Sequence, residues 1–344
     1  MKRLRRIRED ESGVASTVGT IMALLVFLTF ISLIVNQYVP VWMKDSEASH
    51  MGGAFGQFGT FKGSIDLQIL AAQMAQDAGV DYIPITSFTP VTLGVDGVPI
   101  FTSPTTGLLT SLSTKGTFTT QLTYSIRGRA TQVRESSTGE IVLDVFNRYY
   151  LHQAIVYENG GVLRAQNDGQ SMRADPTFGV SVVNDTLRIA MTHVGLFGNG
   201  SVEGSSTEGI HSKLIGVDRQ EYTQVLSDVW INGTTPYGVA WVSFFNRTLA
   251  DAFKIDSGVF VGGCPTYCFS PSYFGTRIQT LSIVTPYYTL TADWKDPKRA
   301  YDIVVQIHND PNNSIPLVMP ITKVQVQHAF VNIAIAERGT EVSI

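Results

Sequence analysis

Residue types that could do chemistry are few in this chain and lie far apart. The six histidines have no second histidine or cysteine at metal-ligand spacing, and the chain has no nucleophile elbow, zinc-protease helix, phosphate-binding loop or EF-hand loop. His328 alternates with Val326 and Phe330, as a core histidine on a strand face does. The sequence therefore predicts a protein that is not an enzyme and that holds no cofactor or metal.

Three short motifs could still hold a group. Cys264 and Cys268 are the only cysteines and, outside the cytoplasm, predict a disulfide, with free thiols and zinc ligation as alternatives. Residues 308–313 offer oxygen ligands for calcium, although ordinary turn chemistry explains them equally well. Paired tyrosines at 149–150 and 287–288 could stack on a sugar, but strand neighbours face opposite sides, which favours one buried and one exposed ring per pair.

The element that must position everything else is an uncharged run, residues 14–43, behind a basic terminus. As a helix, its apolar part, residues 14–35, would be about 33 Å long, enough to cross a bilayer. Five basic residues precede the run, so the positive-inside bias predicts a cytoplasmic amino terminus and an external remainder. The run is longer than the apolar part of a cleaved secretory signal, and Tyr38 and Trp42 stand near its end, where interfacial aromatics are found.

The residues at the start of this run form a recognisable pattern. A basic leader ends at Gly13, and the sequence Val-Ala-Ser-Thr-Val-Gly-Thr-Ile begins at Val14. This order resembles the amino terminus of archaeal type IV pilins and archaellins. The resemblance implies that a prepilin peptidase-like protease cuts between Gly13 and Val14, and that the apolar helix then packs in a filament core. Ser16 departs from the family's proline and Val18 from the glutamate of bacterial pilins; an uncleaved signal anchor is the alternative interpretation.

Composition and charge narrow the choice of partners. The net charge is −4 although the first eight residues are strongly basic, so the remainder is acidic. Nucleic acid and anionic lipid both need clustered lysine and arginine, and are therefore not expected as partners. Sequons on the predicted external side predict N-glycosylation, with Asn199 and Asn232 in turns and Asn246 in a short helix or packed strand. The five acceptors are Asn184, Asn199, Asn232, Asn246 and Asn312.

Residues 44–80 are predicted to form an amphipathic, glycine-rich helical stalk. Apolar residues recur there at alternating steps of three and four, which is typical of a helix that packs against other helices. Each glycine costs ~1 kcal/mol in a solvated helix, so the glycines predict that another backbone approaches closely. The alternative is a flexible linker up to Phe61 followed by a short helix to Ala78. The apolar positions are Ala48, Met51, Phe55, Phe58, Ile65, Ile69 and Ala72, with Lys62 in the one gap, and the glycines are Gly52, Gly56, Gly59 and Gly63.

From residue 81 onward the apolar period becomes two, which predicts strands. Residues 117–126 alternate cleanly, whereas residues 324–335 change phase, which predicts a bulge or a strand buried on both faces. Asn-Gly and Asp-Gly steps predict two-residue hairpins, and residues 195–209 are the best candidate for a long exposed loop. The stretch 147–162 reads as strand, hairpin, strand, and with residues 241–245 resembles the external domain of archaeal pilin-like surface proteins. The turn signals are Asp96-Gly97, Asn159-Gly160, Asp168-Gly169, Asn199-Gly200 and Asn232-Gly233.

The predicted fold class is a long N-terminal α-helix, transmembrane and then an amphipathic stalk, followed by a mainly-β domain that is β-sandwich-like. The predicted domains are a leader at 1–13, a transmembrane or assembly helix at 14–43, the stalk at 44–80, and an extracellular β domain at 81–344 with one or two subdomains. If the helix is continuous from Val14 to Ala78, Pro40 should kink or interrupt it.

Two functions fit these patterns. The first is a membrane-anchored, pilin-like structural subunit of a surface filament or pseudopilus, which self-associates through its helix. The second is a signal-anchored surface protein whose β head binds glycan or cell-envelope components without polymerising. Both place the chain in the cell membrane as a single-pass protein, and the first also allows an extracellular filament.

Overall fold

A computed structural model describes residues 2–98, 100–167, 169–255, 269–274, 277–312, 314–315 and 318–336. The chain begins with one long helical rod and continues as a mainly β head, which confirms the predicted fold class. The rod consists of helix α1 (Lys2–Leu33), a π-helical turn (Ile34–Tyr38) and helix α2 (Val39–Asp77). Cys264 and Cys268, the predicted disulfide, lie outside the described residues.

The rod stays helical through Pro40, and a π-helical turn directly precedes this proline, where the sequence predicted a kink or an interruption. A proline in a helix lacks the N–H group that would bond four residues back, and its ring crowds that carbonyl. Here the preceding turn is wider, because Val39 N–H bonds to the carbonyl of Ile34, five residues back. A π-turn of this kind lets the helix continue past a proline.

The head contains three sheets and one further helix, α3 (Gly238–Phe253). The five-stranded sheet has the order β1-β12-β18-β10-β9, the six-stranded sheet β11-β2-β5-β6-β7-β8, and the seven-stranded sheet β14-β15-β16-β17-β13-β3-β4. Neighbouring described strands are antiparallel apart from the parallel pair β10 and β18. The strands are β1 (Thr86–Thr92), β2 (Gly107–Leu112), β3 (Thr117–Ile126), β4 (Arg129–Ser137), β5 (Glu140–Val145), β6 (Gln153–Glu158), β7 (Gly161–Gln166), β8 (Gly169–Ala174), β9 (Phe178–Val183), β10 (Thr186–Phe197), β11 (Gly200–Gly204), β12 (Thr207–Thr223), β13 (Val229–Thr235), β14 (Phe269–Phe274), β15 (Arg277–Val284), β16 (Tyr288–Lys295), β17 (Ala300–Ile307) and β18 (Ile321–Ala336).

Two hydrophobic cores hold these layers together. In the first, α3 packs Trp241 and its neighbours against the seven-stranded sheet and one face of the six-stranded sheet. In the second, α2 packs against the opposite face of the six-stranded sheet and part of the five-stranded sheet. The six-stranded sheet therefore separates the two cores, with Val156 on one side and the adjacent Ile155 and Tyr157 on the other.

Strand β18 takes part in both cores, which accounts for its change of apolar phase. Val324 and Val326 belong to the core around α3, whereas Val331 and Ile333 face the other way into the core around α2. The register shift lies in the neighbouring strand β12, between Leu214 and Gly216. The strand is thus buried on opposite faces along its length, as the sequence predicted, and the partner strand carries the bulge.

Two local expectations are wrong. The Asn232-Gly233 step is no turn, because β13 runs straight through it between β17 and β3, and Gly233 makes room there for the ring of Phe118. Residues 195–209 are no long loop, because they contain the end of β10, all of β11 and the start of β12. The Asn159-Gly160 hairpin is confirmed, with both residues at positive φ between β6 and β7.

The predicted stalk is helical to Asp77, so the alternative of a flexible linker up to Phe61 is wrong. Its apolar side packs against the strands of its own head rather than against other helices. We call this side the inner face. It includes Phe61, which the predicted heptad pattern omitted because it placed Lys62 in the gap. The inner face consists of Met51, Ala54, Phe58, Phe61, Ile65, Ile69 and Ala72.

Truncation of the inner face should destabilise the head. Replacing the fully buried Phe58 with alanine (Phe58→Ala) removes a ring from the core around α2, so we expect the free energy of unfolding to fall by about 3–5 kcal/mol. Denaturant unfolding of the full chain in detergent micelles measures this. Leu67→Ala on the same helix is the control, because Leu67 is 68% exposed and should change stability by less than about 0.5 kcal/mol. Equal effects of the two variants would contradict the assignment of the inner face.

Candidate membrane anchor and assembly surface

The apolar part of the rod is bare. The helix described from Ala15 to Asp77 contains a window with a mean hydropathy of 2.7, and none of that window is buried against the rest of the chain. Large apolar side chains such as Met22, Phe27 and Phe30 stand more than half exposed. Among the described residues this is the one helix that is long and apolar enough to cross a membrane, and it fits a membrane anchor near the amino terminus.

The predicted processing site lies inside this rod. Gly13 and Val14 both belong to α1, whose backbone is helical from Lys2 onward. The leader is therefore continuous with the anchor, and cleavage between these two residues stays a prediction.

The outward side of α2 carries a second regular row of residues. Four glycines and then three large apolar side chains follow one another at steps of four and three, the spacing at which residues share one helix face. The three large side chains are about half or more exposed, although they are apolar. We call this row the outer seam; it consists of Gly52, Gly56, Gly59, Gly63, Leu67, Leu70 and Met74.

The glycines of the outer seam have open space around them. At Gly52, Gly56, Gly59 and Gly63, a Cβ atom would meet no atom within 4 Å outside the local helix backbone. The close backbone approach that the sequence predicted is therefore not supplied by the described residues of this chain. The predicted helix-packing set divides accordingly: Met51, Phe58, Ile65 and Ile69 face inward, the glycines face outward, and Phe55 lies half-buried at the flank.

Glu47 fixes the rod to the head, and the sequence reading missed it. Its side chain is 0% exposed. The carboxylate accepts hydrogen bonds from the backbone N–H groups of Arg148 at 3.0 Å, Tyr149 at 2.8 Å and Tyr150 at 2.6 Å. Hydrogen bonds to a charged group of this kind are stronger than neutral ones. Glu47 lies four residues before Met51, in phase with the inner face, and a charge at an apolar position is the signal that could have revealed it.

Further polar side chains of α2 bind the backbone of the head. His50 Nε2 donates to the carbonyl oxygen of Thr92 at 2.8 Å, and burial lowers the pKa of this imidazole, which favours its neutral form. Gln57 Oε1 accepts from Thr92 N–H at 3.0 Å, and Gln68 Oε1 accepts from Leu214 N–H at 2.9 Å. With Glu47 these bonds join α2 to β1, to β12 and to the loop before β6.

The sequons differ in how their acceptors are placed. Asn184, Asn199 and Asn312 are exposed, so their glycosylation stays a prediction that the fold permits. Asn232 is half-buried in a central strand. Asn246 is 5% exposed on α3, and its Oδ1 accepts a hydrogen bond from the hydroxyl of Tyr288 at 2.8 Å, so the folded head leaves no room for a glycan there.

The buried histidines His193 and His328 contact each other in the core. His328 pairs in register with His193 on β10, and their rings stack with centroids 5.2 Å apart. His193 Nε2 lies 2.7 Å from Thr120 Oγ1, and burial lowers the pKa of His193 to about 3, so this ring is neutral. His193 was not singled out from the sequence, and no group of three metal-ligating side chains occurs among the described residues.

The polar loop and the tyrosine pair at 287–288 are built as structural elements. Asp310 accepts hydrogen bonds from Asn312 N–H and Ser314 Oγ, both at 3.2 Å, which is ordinary turn chemistry. Tyr288 is buried in the core around α3, and Tyr287 stacks on Phe253 with centroids 4.6 Å apart. These two rings therefore make no free platform for a sugar.

No protein family model, curated protein or solved structure matches the chain.

Loss of the Glu47 carboxylate should loosen the joint between rod and head. In Glu47→Ala the three backbone N–H groups lose their acceptor, so amide hydrogen exchange at residues 148–150 should accelerate at least about tenfold, since each such bond contributes about 1.5–3 kcal/mol. Hydrogen exchange with mass spectrometry measures this. Asp45→Ala is the matched control, because Asp45 is exposed on the same helix. Unchanged exchange at residues 148–150 in Glu47→Ala would contradict the role given to Glu47.

Proposed function

We propose that this protein is a membrane-anchored, pilin-like structural subunit that assembles through its N-terminal rod and displays its β head outside the cell. The observation that carries the proposal is the outer seam, a regular row of bare glycines and exposed apolar side chains on a helix whose opposite face is buried. The role is structural rather than enzymatic.

The physical argument begins with the cost of the outer seam. Glycine in a helix costs ~1 kcal/mol relative to alanine, and exposed Leu67, Leu70 and Met74 leave apolar surface in contact with water. Small residues repeated along one helix face allow a second helix to approach closely, which recovers this cost through backbone packing. A second copy of the same rod supplies such a helix, in line with the bare apolar segment that precedes α2.

The proposed orientation in the membrane rests on the charged residues that flank the apolar segment. Five basic residues precede it, which supports a cytoplasmic amino terminus and an external head. Processing by a prepilin peptidase-like protease after Gly13 would remove these residues and release the rod for assembly. The proposed partners of the protein are thus the membrane, this protease and further subunits.

The alternative is a signal-anchored protein whose head binds glycan and which does not polymerise. The tyrosine pair at 287–288 favours this alternative in the sequence, but Tyr287 stacks on Phe253 and Tyr288 is buried in the head. The two functions differ in what they require of the outer seam, since only assembly needs its glycines.

Processing can be tested directly at the amino terminus. Intact-mass and N-terminal peptide mass spectrometry of the membrane or filament fraction should find a mature chain that begins at Val14. A bulky residue at the end of the leader, in Gly13→Phe, should block the cut and leave the full leader in place. A wild-type chain that still begins at Met1 in assembled material would rule out this processing.

Assembly can be tested on the outer seam. Gly56→Leu places a large side chain where a second backbone would approach, so we expect filaments to disappear from sheared cell-surface material in electron microscopy. Its fold should survive, because a Cβ atom at this position meets no atom within 4 Å outside the local helix backbone. Gly56→Ala should retain most assembly, since small residues still permit close packing.

Gly53→Leu is the matched control for this experiment. Gly53 is exposed on the same helix with equally open space, but it lies about 100° around the helix from Gly52 and about 60° from Gly56, so it borders the outer seam without belonging to it. Filaments should persist in this variant, whose change in helix propensity is the same. Equal assembly of Gly56→Leu and wild type would refute assembly through the outer seam and favour the non-polymerising alternative.

A further inference from the structure

Two glutamates lie buried side by side between the layers of the head. Glu140 begins β5 and Glu158 ends β6, and the two are register partners on neighbouring antiparallel strands. Register partners share one sheet face, with Cβ atoms about 5 Å apart. Glu158 is 0% exposed and Glu140 is 5% exposed, so both carboxyl groups are shielded from bulk water.

Each carboxyl group has one buried oxygen without a hydrogen-bond partner. These atoms are Glu140 Oε2 and Glu158 Oε1. The other oxygen of Glu158 is well satisfied, because Oε2 accepts from Trp241 Nε1 at 2.6 Å and from Thr235 Oγ1 at 2.9 Å. One oxygen of Glu158 is thus anchored to α3 and to the end of β13, and the other is left for a proton.

The surroundings offer little positive charge to hold two carboxylates. Lys115 in the turn before β3 acts on Glu140, and Tyr237 before α3 interacts with both glutamates and with Asp144 on β5. Gly116, at positive φ, closes over Glu158, since a Cβ atom there would lie 2.5 Å from Oε1. Only Lys115 is a cation, and two ionised glutamates would therefore repel each other in a medium of low polarity.

Burial and mutual repulsion both favour the protonated forms. Burial raises the pKa of Glu140 from 4.5 to about 7. Burial and the neighbouring Glu140 raise the pKa of Glu158 to about 8, although its bonds from Trp241 and Thr235 act in the opposite direction. At neutral pH the folded head therefore retains protons that the unfolded chain has lost.

We propose that Glu140 and Glu158 form a proton-sharing carboxyl pair that fastens the six-stranded sheet to α3 and makes the head more stable at pH 6.5 than at pH 8.5. With one proton between them, one carboxyl group donates to the unpartnered oxygen of the other, and Trp241 and Thr235 tie the pair to the adjacent layer. Loss of the last proton leaves two buried negative charges at this joint.

The sign of the pH dependence follows from the two raised pKa values. The stabilisation is complete below the unfolded value of 4.5 and is lost as the pH rises through about 7 and 8. Each excess proton changes the folding equilibrium by up to tenfold per pH unit. His193 and His328 act in the opposite sense and below pH 6.5, because burial lowers their pKa values and they must become charged there. A range from pH 6.5 to 8.5 therefore isolates the carboxyl pair.

Thermal unfolding of the full chain in neutral detergent micelles tests the proposal. The wild-type midpoint temperature should fall as the pH rises from 6.5 to 8.5. In the double variant Glu140→Gln with Glu158→Gln, amide groups reproduce the shape and the hydrogen bond of the protonated pair, so the midpoint should stay level. The exposed Glu203→Gln on β11 should follow the wild type. A double variant that falls as steeply as the wild type would overturn the proposal.

Infrared spectroscopy of the wild type keeps the test decisive even if the double variant fails to fold. A protonated carboxylic acid has its own carbonyl band, which ordinary glutamates have lost by pH 6.5. We expect this band at pH 6.5 and its loss by pH 9, with no such band in a folded double variant. Absence of the band in folded wild-type protein at pH 6.5 would show that the pair holds no proton.

Discussion

The structure depends on helix α2 being apolar on two opposite sides and buried on only one. Its inner face is part of the head's core, where side chains such as Phe58 and Ile65 each contribute about 1.5–3 kcal/mol through burial. The head of the same chain therefore already buries the inner face of this helix. The outer seam is left over, and no strand of the described head covers it. The proposed assembly rests on this surplus rather than on the length of the helix.

The polar bonds of α2 fix the orientation of the rod relative to the head. Glu47 binds three consecutive backbone N–H groups, while His50, Gln57 and Gln68 bind strand backbone further along the helix. Each bond is directional, so together they fix the rotation of the helix as well as its position. The outer seam consequently has one defined direction relative to the head. A subunit with such a joint can place its head regularly in an array, which a flexible linker could not do.

The sequence predicted the period of each element well and its partners poorly. The sequence pattern predicts the uncharged run, the helix to about residue 78 and the switch to strands, because helix and strand periods depend on local spacing. The heptad pattern could not reveal that the partner was a sheet, since strands and helices bury the same apolar side chains. Asn232-Gly233 failed for a related reason: a turn signal is local, whereas the place of β13 between two strands is set by the whole sheet.

Charged residues in apolar phase were the signal that the sequence reading did not use. Glu47 lies in line with the inner face. Glu140 lies two residues before Val142 and Glu158 two residues after Val156, so each glutamate shares a sheet face with an apolar residue. Burying a carboxyl group is costly unless it is hydrogen-bonded or protonated, and the chain uses both solutions. Glu47 accepts three N–H bonds and joins the rod to the head, whereas the paired glutamates join the six-stranded sheet to α3 and to the end of β13. The joints of this protein are thus marked by the acids that its hydrophobic pattern would exclude.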